Sequence, residues 1–465
     1  MIHKVSAITI FFLLGILSGF GETAGKLTLA GTSWSADTIA VTETPADGSA
    51  WWRRFNDATL DSLIILGEKN NYDAAAAVRR IAIARAQLGT ARSAWFPQID
   101  VSAGYNRERS SGRLQGRTGN ASTMSYFNAG ASLSWEIDVF GKVARQVEKA
   151  SEYVKLNAAE YDGVIVALDA EIASAYISLL VSRHQLEIAE THAVNQDSIL
   201  GTVETRYRTG LASKLDVAQA KTLYYSTIAS VPLLEASIEA SYNSLAVLIG
   251  VLPDSLPSGV YADHPLPDHV GLPDVGVPAD LLRRRPDIAQ AERNISMAAA
   301  ELGIARSLYL PSLSLTATIG TQAHNFNDLF SKQSATYSIS PTLSWTLFDG
   351  LSRRNSTAAA KENLQMQIDS YNTTVLTAVE EVNNALASYS ASLRHIARLE
   401  QVLENCLEEV RLSFSLYKQG LTQFSNVVDA QQDYLTYQNT LVEAQGTSLA
   451  SLINLYRALG GGWDE

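Results

Sequence analysis

The stretch AQLGTARSAWFP at residues 86–97 returns as AELGIARSLYLP at residues 300–311. Two shorter motifs recur in the same order: LSW at 133–135 and 343–345, and YRTGL at 207–211, which returns as YKQGL at 417–421. Three ordered recurrences at an offset of about 210 residues indicate an internal duplication. The second half of the chain therefore repeats the plan of the first.

The duplication divides the 465 residues into two predicted structural repeats. The first covers residues 25–250 and the second covers residues 281–465. Residues 251–280 hold six of the twelve prolines and are predicted to be a linker. Each repeat is predicted to contain a helix, two strands, a long helix, a tight turn and a helix. The four predicted strands cover about 98–107, 126–138, 312–320 and 336–348.

Long helices are indicated in both repeats by the spacing of apolar residues. From residue 375 to residue 417 these recur at intervals of four and three, interrupted only at Glu400, which predicts a coiled-coil seam. An uninterrupted helix over residues 142–206 would be about 100 Å long at 1.5 Å per residue. Two shorter helices are predicted over about 58–93 and 213–248. The pattern predicts long antiparallel helix pairs.

The N-terminus has the layout of a secretory signal. His3 and Lys4 precede an apolar run over residues 5–17 and then small residues, which predicts a signal peptide over residues 1–24. Phe20 stands where a lipoprotein signal requires a cysteine, so we expect an unlipidated N-terminus. We expect no further stretch of about 18 apolar residues, and hence no transmembrane helix in the mature chain. Any membrane crossing must then be made by strands.

The predicted strands alternate with a period of two. Ile99, Val101 and Tyr105 alternate with Asp100 and Ser102, and the other three strands follow the same pattern. An apolar face opposite a Ser/Thr face fits a soluble sheet as well as strands between lipid and water. The signal peptide and the long helices favour the membrane interpretation. Because a closed barrel needs about eight strands, the chain must oligomerise, and three copies would supply twelve.

Composition argues against several other classes of protein. The formal net charge is −12, and the only block of basic residues is Arg283–Arg285, so nucleic acid is not an expected partner. Cys406 is the only cysteine, which excludes a disulfide framework and a Cys-based metal site. The four methionines form no cluster with histidine, which weakens the case for metal-ion cargo.

The sequence also lacks the motifs of common enzymes. There is no HExxH, GxSxG or phosphate-binding glycine loop, so we predict no enzymatic activity, catalytic residue, metal or cofactor. His184 with His192, and Glu380 with Glu381, are interpreted as solvent-facing positions on helices.

The chain resembles the outer membrane factors, which are TolC-like proteins, and within them the NodT/OprM-like branch that serves multidrug RND efflux pumps. The resemblance covers nearly all of the mature chain and rests on five motifs. These are WWRRFND at 51–57, LLRRRPDI at 281–288, LSW with FDG at 343–350, VDAQ at 428–431 and LYRALGGGW at 455–463.

The resemblance implies a homotrimer. Its strands would form one 12-stranded barrel in outer-membrane lipid, and its helices a coiled-coil α-barrel in the periplasm, so that the fold is mainly α with a transmembrane β part. A periplasmic adaptor protein and an inner-membrane RND pump would be its partners, and drugs or other small molecules its cargo. The alternatives are a soluble periplasmic coiled-coil scaffold, or an exit channel for metal ions or a secreted polypeptide.

Two helical turns are predicted to contact the adaptor. Gly210 and Gly420 can take the left-handed conformation that ends a helix, and Ser213 with Asp216 has capping-box spacing. The resemblance implies that these turns form the tip that meets the adaptor. The tip residues are Gly210, Leu211, Ser213, Asp216, Gly420, Leu421 and Thr422.

The predicted periplasmic gate follows the second turn. Asp429 matches the aspartate that rings the narrowest part of the entrance in the family. Three symmetry-related carboxylates would repel one another, attract cations and make closure depend on pH and on partner charges. Ser425 replaces a bulky apolar gate residue, and Gln432 replaces an arginine that often links protomers, which predicts a looser resting gate. The alternative is that Asp429 is an ordinary exposed helical residue.

Overall fold

The computed structural model describes residue 26 and residues 50–111, 121–267 and 281–461. The predicted signal peptide with Phe20 lies outside the described residues, as do residues 268–280 of the predicted linker. In chain order the helices and strands are α1 (Ala58–Asn70), α2 (Tyr72–Ser93), β1 (Gln98–Ser110), β2 (Ser122–Ile137), α3 (Lys142–Arg208), α4 (Lys214–Leu248), α5 (Leu281–Arg284), α6 (Pro286–Ser307), β3 (Ser312–Ala323), β4 (Ala335–Ser344), α7 (Ser352–Lys418) and α8 (Phe424–Ala458). The predicted fold class, mainly helical with a strand part, is confirmed.

One predicted helix is interrupted. Residues 58–93 were expected to form a single helix, but α1 ends at Asn70 and α2 begins at Tyr72. Asn71 between them is extended, with φ −62° and ψ 131°. Its Oδ1 accepts hydrogen bonds from the backbone N–H groups of Asp73 and Ala74, so it caps α2 and stops the helix.

Each strand differs from its predicted bounds mainly at one end, which is the turn-connected end in β1, β2 and β3 and the helix-connected end in β4. β1 continues to Ser110 and β2 begins at Ser122, because the polar residues 107–110 pair in register with residues 122–125. β3 likewise continues to Ala323. β4 ends at Ser344 instead of about residue 348, since its partner β3 begins opposite it at Ser312. Backbone pairing, which residue type alone does not reveal, decides these ends.

The described residues form two compact units, each containing segments of both sequence repeats. Of the described residues, the strand unit contains residue 26 and those within 82–156 and 291–373, and the helical unit contains residues 50–81 and those within 157–290 and 374–461. In the strand unit the four strands form one antiparallel sheet in the order β1-β2-β3-β4.

The core of the helical unit is built on α3. Ile172, Tyr176 and Leu179 of α3 are fully buried, and they share one apolar cluster with Trp51 and Leu452. One 18-residue window of α3 has a mean hydropathy of 1.9, so the expectation of no further apolar stretch was wrong. Because 61% of that window is buried inside the fold, its composition is that of a core helix.

The predicted seam of α7 is confirmed. Val375, Val382, Leu386 and Tyr389 are buried along one face of the helix. The predicted interruption at position 400 does not break the seam, because Leu399 is buried in the same turn.

Candidate functional site

The two predicted turns both end a long helix in the left-handed conformation. Gly210 has φ +78° and Gly420 has φ +77°, so this prediction is confirmed. In each turn the amide after the glycine donates to the carbonyl five residues earlier: Leu211 to Arg206 at 2.8 Å and Leu421 to Leu416 at 3.0 Å. This is the Schellman arrangement, in which a residue with a Cβ would be strained at the glycine position. Sequence and geometry therefore agree at both turns.

The helices that follow the two turns, α4 and α8, are capped differently. The Ser213 hydroxyl accepts from the Asp216 backbone N–H at 3.1 Å, and the Asp216 carboxylate accepts from the Ser213 N–H at 3.3 Å. The predicted capping box is therefore present. At the second turn Gln423 is the N-cap and makes no side-chain capping bond, while Thr422 accepts a bond from the Asn426 amide at 2.7 Å.

Side chains from one turn bind the other turn. The Tyr417 phenol donates to Asp216 Oδ2 at 3.3 Å, and Arg206 Nη1 donates to the Lys418 carbonyl at 2.9 Å. The Arg206 guanidinium also lies over the Tyr417 ring, 5.1 Å from its centroid. Burial and the negative charge of Asp216 raise the pKa of the Tyr417 phenol, which therefore stays a donor. The sequence interpretation missed both Tyr417 and Arg206 as site residues.

An apolar cluster lies beside these contacts and joins four helices. Tyr417 of α7 and Phe424 of α8 pack with ring centroids 5.0 Å apart. The other buried members are Ile199, Leu200 and Val203 of α3, Ala220 of α4 and Val427 of α8. The cluster holds both turns in a fixed relation.

The three predicted gate residues share one side of α8. Ser425, Asp429 and Gln432 are spaced at i, i+4 and i+7, which places them on one helical face. Asp429 and Gln432 are exposed and Ser425 is half-buried, whereas Phe424 and Val427 are buried in the cluster. In the part of the chain that the structure describes, Asp429 forms no ion pair or hydrogen bond. No group among the described residues therefore neutralises its carboxylate.

A polar contact between α3 and α8 was missed because His192 was interpreted as solvent-facing, which is wrong. His192 is 3% exposed, and its Nε2 lies 2.5 Å from Gln438 Oε1. Its ring lies 5.3 Å from the Tyr434 ring. Burial lowers the pKa of the imidazole, although the bond to Gln438 opposes that shift. The only feature of the sequence that could have indicated burial of His192 is its position two helical turns before the apolar residue Ile199 on α3.

The motifs at the start of each repeat have structural roles. Arg285 of the LLRRRPDI motif is buried and donates to the Ala458 carbonyl, to Asp287 and to Glu381, each at 2.7 Å. Glu381 is thus half-exposed but paired, and the interpretation of it as a purely solvated residue was incomplete.

The WWRRFND motif anchors the start of the helical unit. Trp51 stacks on Tyr456 with centroids 5.1 Å apart. Asp57 caps α1 through the Thr59 N–H and accepts from the Tyr176 phenol at 2.7 Å.

The sheet of the strand unit has one apolar face. Its register places the apolar residues of all four strands on the same side: Ile99, Val101, Ala103 and Tyr105 on β1; Phe127, Ala129, Ala131, Leu133 and Trp135 on β2; Leu313, Leu315, Ala317 and Ile319 on β3; Tyr337, Ile339, Pro341 and Leu343 on β4. Asp100, Ser102, Thr316 and Ser340 lie on the opposite face. Val101 and Tyr337 are each 83% exposed, so no described part of the chain covers the apolar face at these two strands.

The duplicated LSW motif has the same contact in both repeats. The Trp135 indole donates to the Trp95 carbonyl at 3.1 Å, and the Trp345 indole donates to the Tyr309 carbonyl at 3.0 Å. Each bond joins the residue at the end of a strand to the segment between the preceding helix and its first strand. The sequence duplication is therefore matched by equivalent hydrogen bonds.

Among the described residues, no group of three or more His, Cys, Asp or Glu side chains is arranged to hold a metal ion.

Comparison with known proteins identifies the family of this chain. Residues 64–251 and 277–461 match the family model described as outer membrane efflux protein. The chain belongs to the outer membrane efflux protein family.

Curated relatives and a solved structure agree with that assignment. The chain is 30% identical over 417 residues to the toluene efflux pump outer membrane protein TtgF of Pseudomonas putida, covering 89% of this chain and 86% of the relative. It is 31% identical over 432 residues to the pyoverdine export outer membrane protein OpmQ of Pseudomonas aeruginosa, covering 90% and 89%. The solved outer-membrane channel OprN superposes with a TM-score of 0.86 at 29% identity, covering 94% and 98%. The predicted resemblance is confirmed, and this family member is an outer-membrane efflux channel protein.

Proposed function

We propose that the chain is one protomer of a homotrimeric, passive exit duct for drugs or other small molecules. The observation that carries this proposal is the uncovered apolar face of the sheet, opposite a face of Ser and Thr. Contact with lipid on the apolar side removes it from water at a gain of about 25 cal/mol per Å². The polar side would then face a water-filled lumen.

Closure of the barrel requires neighbouring copies. β1 and β4 are the two edges of the four-stranded sheet. In lipid, unpaired edge groups cost several kcal/mol each, so an isolated protomer cannot insert stably. Pairing β1 of one copy with β4 of the next removes both edges, and three copies supply twelve strands.

The two turns are proposed as the contacts for a periplasmic adaptor, with an inner-membrane RND pump supplying the cargo. Leu211 and Leu421 are 66% and 69% exposed, which gives a partner two apolar side chains held on fixed turns. The proposed contacts are Gly210, Leu211, Ser213, Asp216, Gly420, Leu421 and Thr422.

The gate is proposed to be the face of α8 that carries Ser425, Asp429 and Gln432. Three copies of this face around one axis would bring like charges together, and adaptor binding would change their surroundings. The names of the relatives mention toluene and pyoverdine, which are very different molecules. This supports a duct that selects little and a pump that chooses the cargo. The N-terminus is proposed to be unlipidated, because Phe20 replaces the required cysteine.

The test is membrane fractionation, followed by electrophoresis with and without heating and by planar-bilayer recording. We expect a heat-sensitive species of three times the chain mass in the outer membrane, with gated conductance. A soluble monomer that gives no conductance would overturn the duct and favour the periplasmic scaffold. Mass spectrometry of the mature N-terminus checks the lipidation.

A further inference from the structure

Two arginines continue the apolar face of β1 beyond its last aromatic residue. The pairing of β1 with β2 contains no bulge, and alternate residues of a strand lie on the same face of a sheet. Arg107 and Arg109 therefore lie on the apolar face with Val101 and Tyr105. They stand opposite Ser125 and Thr123 of β2. The band of apolar side chains therefore ends in a basic edge.

An aromatic cluster separates this basic edge from the apolar band. The Tyr105 and Phe127 rings lie 4.9 Å apart, and Phe127 contacts Phe326 at 5.6 Å. At the other end of the band Trp135 and Trp345 bind the backbone beside the helices. Aromatic rows of this kind mark the two boundaries of a membrane-crossing band about 25 Å tall. In the proposed membrane-spanning arrangement, Arg107 and Arg109 would therefore lie at the level of lipid headgroups.

The two guanidinium groups are not neutralised within the described residues. Both are exposed, and neither forms an ion pair or a hydrogen bond there. Glu108, the acid between them in sequence, has the opposite parity and belongs to the other face. At the helix-connected end of the sheet the situation differs, because Arg353 is paired with Asp349 at 2.7 Å. Arg107 and Arg109 thus differ from Arg353 in having no acidic partner among the described residues.

We propose that Arg107 and Arg109 form a binding site for the phosphate of an anionic lipid headgroup in the outer leaflet of the membrane. The inference rests on the proposed function, in which the helix-connected end of the sheet faces the periplasm. The apolar stems would lie along the acyl boundary while the guanidinium groups reach the phosphates. Arginine matches phosphate oxygens with two parallel hydrogen bonds, which favours it for this contact. The site would fix the depth and tilt of the barrel.

The test counts phosphatidic acid molecules bound to the purified trimer by native mass spectrometry, with phosphatidylcholine as the neutral lipid. The double variant Arg107→Gln/Arg109→Gln is compared with Arg79→Gln/Arg80→Gln, which removes the same charge from two exposed positions of α2. We expect the sheet variant to bind phosphatidic acid about thirtyfold more weakly, as the loss of two basic contacts at an anionic surface predicts. The helix variant should bind like the unmodified protein.

Equal binding by both variants, or displacement of the lipid by an equal concentration of inorganic phosphate, would overturn the lipid site. The second result would indicate a site for free phosphate. Trimer mass and bilayer conductance are measured on the same preparations. A conducting trimer without the lipid difference rejects this inference alone, whereas absence of a trimer rejects the proposed function and the lipid site with it.

Discussion

Tyr417 donates a hydrogen bond to Asp216 Oδ2 at 3.3 Å and thereby joins the turn of the second repeat to the turn of the first. The two residues are far apart in sequence and lie on α7 and α4. Asp216 also closes the capping box of α4, so one carboxylate serves both turns. If one turn moves, either this hydrogen bond breaks or the other turn moves with it.

Tyr417→Phe removes the phenol oxygen and keeps the ring that packs on Phe424. We expect a loss of about 1 kcal/mol in the stability of the tip, as for one hydrogen bond, and a higher resting conductance in planar bilayers. Tyr207→Phe is the matched control, since Tyr207 is the equivalent residue of the first repeat and is 45% exposed. Equal conductance of the two variants would show that the contact does not restrain the tip.

Ser425→Leu places a bulky apolar side chain on the gate face of α8. If that face lines the closed entrance, the resting leak in single-channel records should fall. Ser198→Leu makes the same change at an exposed position of α3 and should leave the leak unaltered. An unchanged leak in Ser425→Leu argues against a gate at this level.

Asp429→Asn removes the proposed ring of charge without changing side-chain size. Cation selectivity should fall, measured as the reversal potential in a salt gradient, because three like charges no longer attract cations. Asp197→Asn, which removes the same charge at an exposed position of α3, is the control. Equal reversal potentials in all three proteins would favour an ordinary exposed aspartate.

Asp169 predicts a pH dependence of stability. Its side chain is fully buried, and neither carboxylate oxygen has a hydrogen-bond partner within the described part of the chain. Burial, with the charge of Glu68, raises its pKa to about 8. The folded state therefore holds a proton that the unfolded state has lost between about pH 4 and pH 8, so stability falls as pH rises through this window.

Asp169→Asn should remove that dependence and raise the melting temperature at pH 8, measured by circular dichroism. The gain is on the order of a few kcal/mol at most, because a shift of one pKa unit corresponds to about 1.4 kcal/mol. Asp197→Asn serves again as the control, because Asp197 is exposed. A variant that melts lower than the unmodified protein at pH 8 contradicts the prediction.

Arg285→Gln should destabilise the helical unit. It removes a buried guanidinium and leaves the Ala458 carbonyl, Asp287 and Glu381 without their donor. The expected loss is about 3 kcal/mol, seen as a lower midpoint in thermal melting. Arg284→Gln is the neighbouring control, and a similar loss in both variants would show that the Arg285 contacts are not decisive.

The sequence located the two turns because these depend on local rules. Glycine at a helix end and serine three residues before aspartate act within one turn, so Gly210 and the Ser213 cap could be read directly. His192 was misplaced because its burial depends on which helix packs beside α3, and no local spacing reveals that neighbour. The break at Asn71 was missed for a similar reason, since its amide also donates to the Leu248 carbonyl in a distant helix.

The sequence by itself determined the duplication, the order of elements and the alternation that gives each strand one apolar face. These features follow from periods of two and 3.6 residues, which a single segment carries alone. The tertiary structure decided the register that aligns the four apolar faces. It also decided the contact between Tyr417 and Asp216. The register and this contact both join segments that are far apart in the chain. Their geometry is therefore set only when those segments pack against each other.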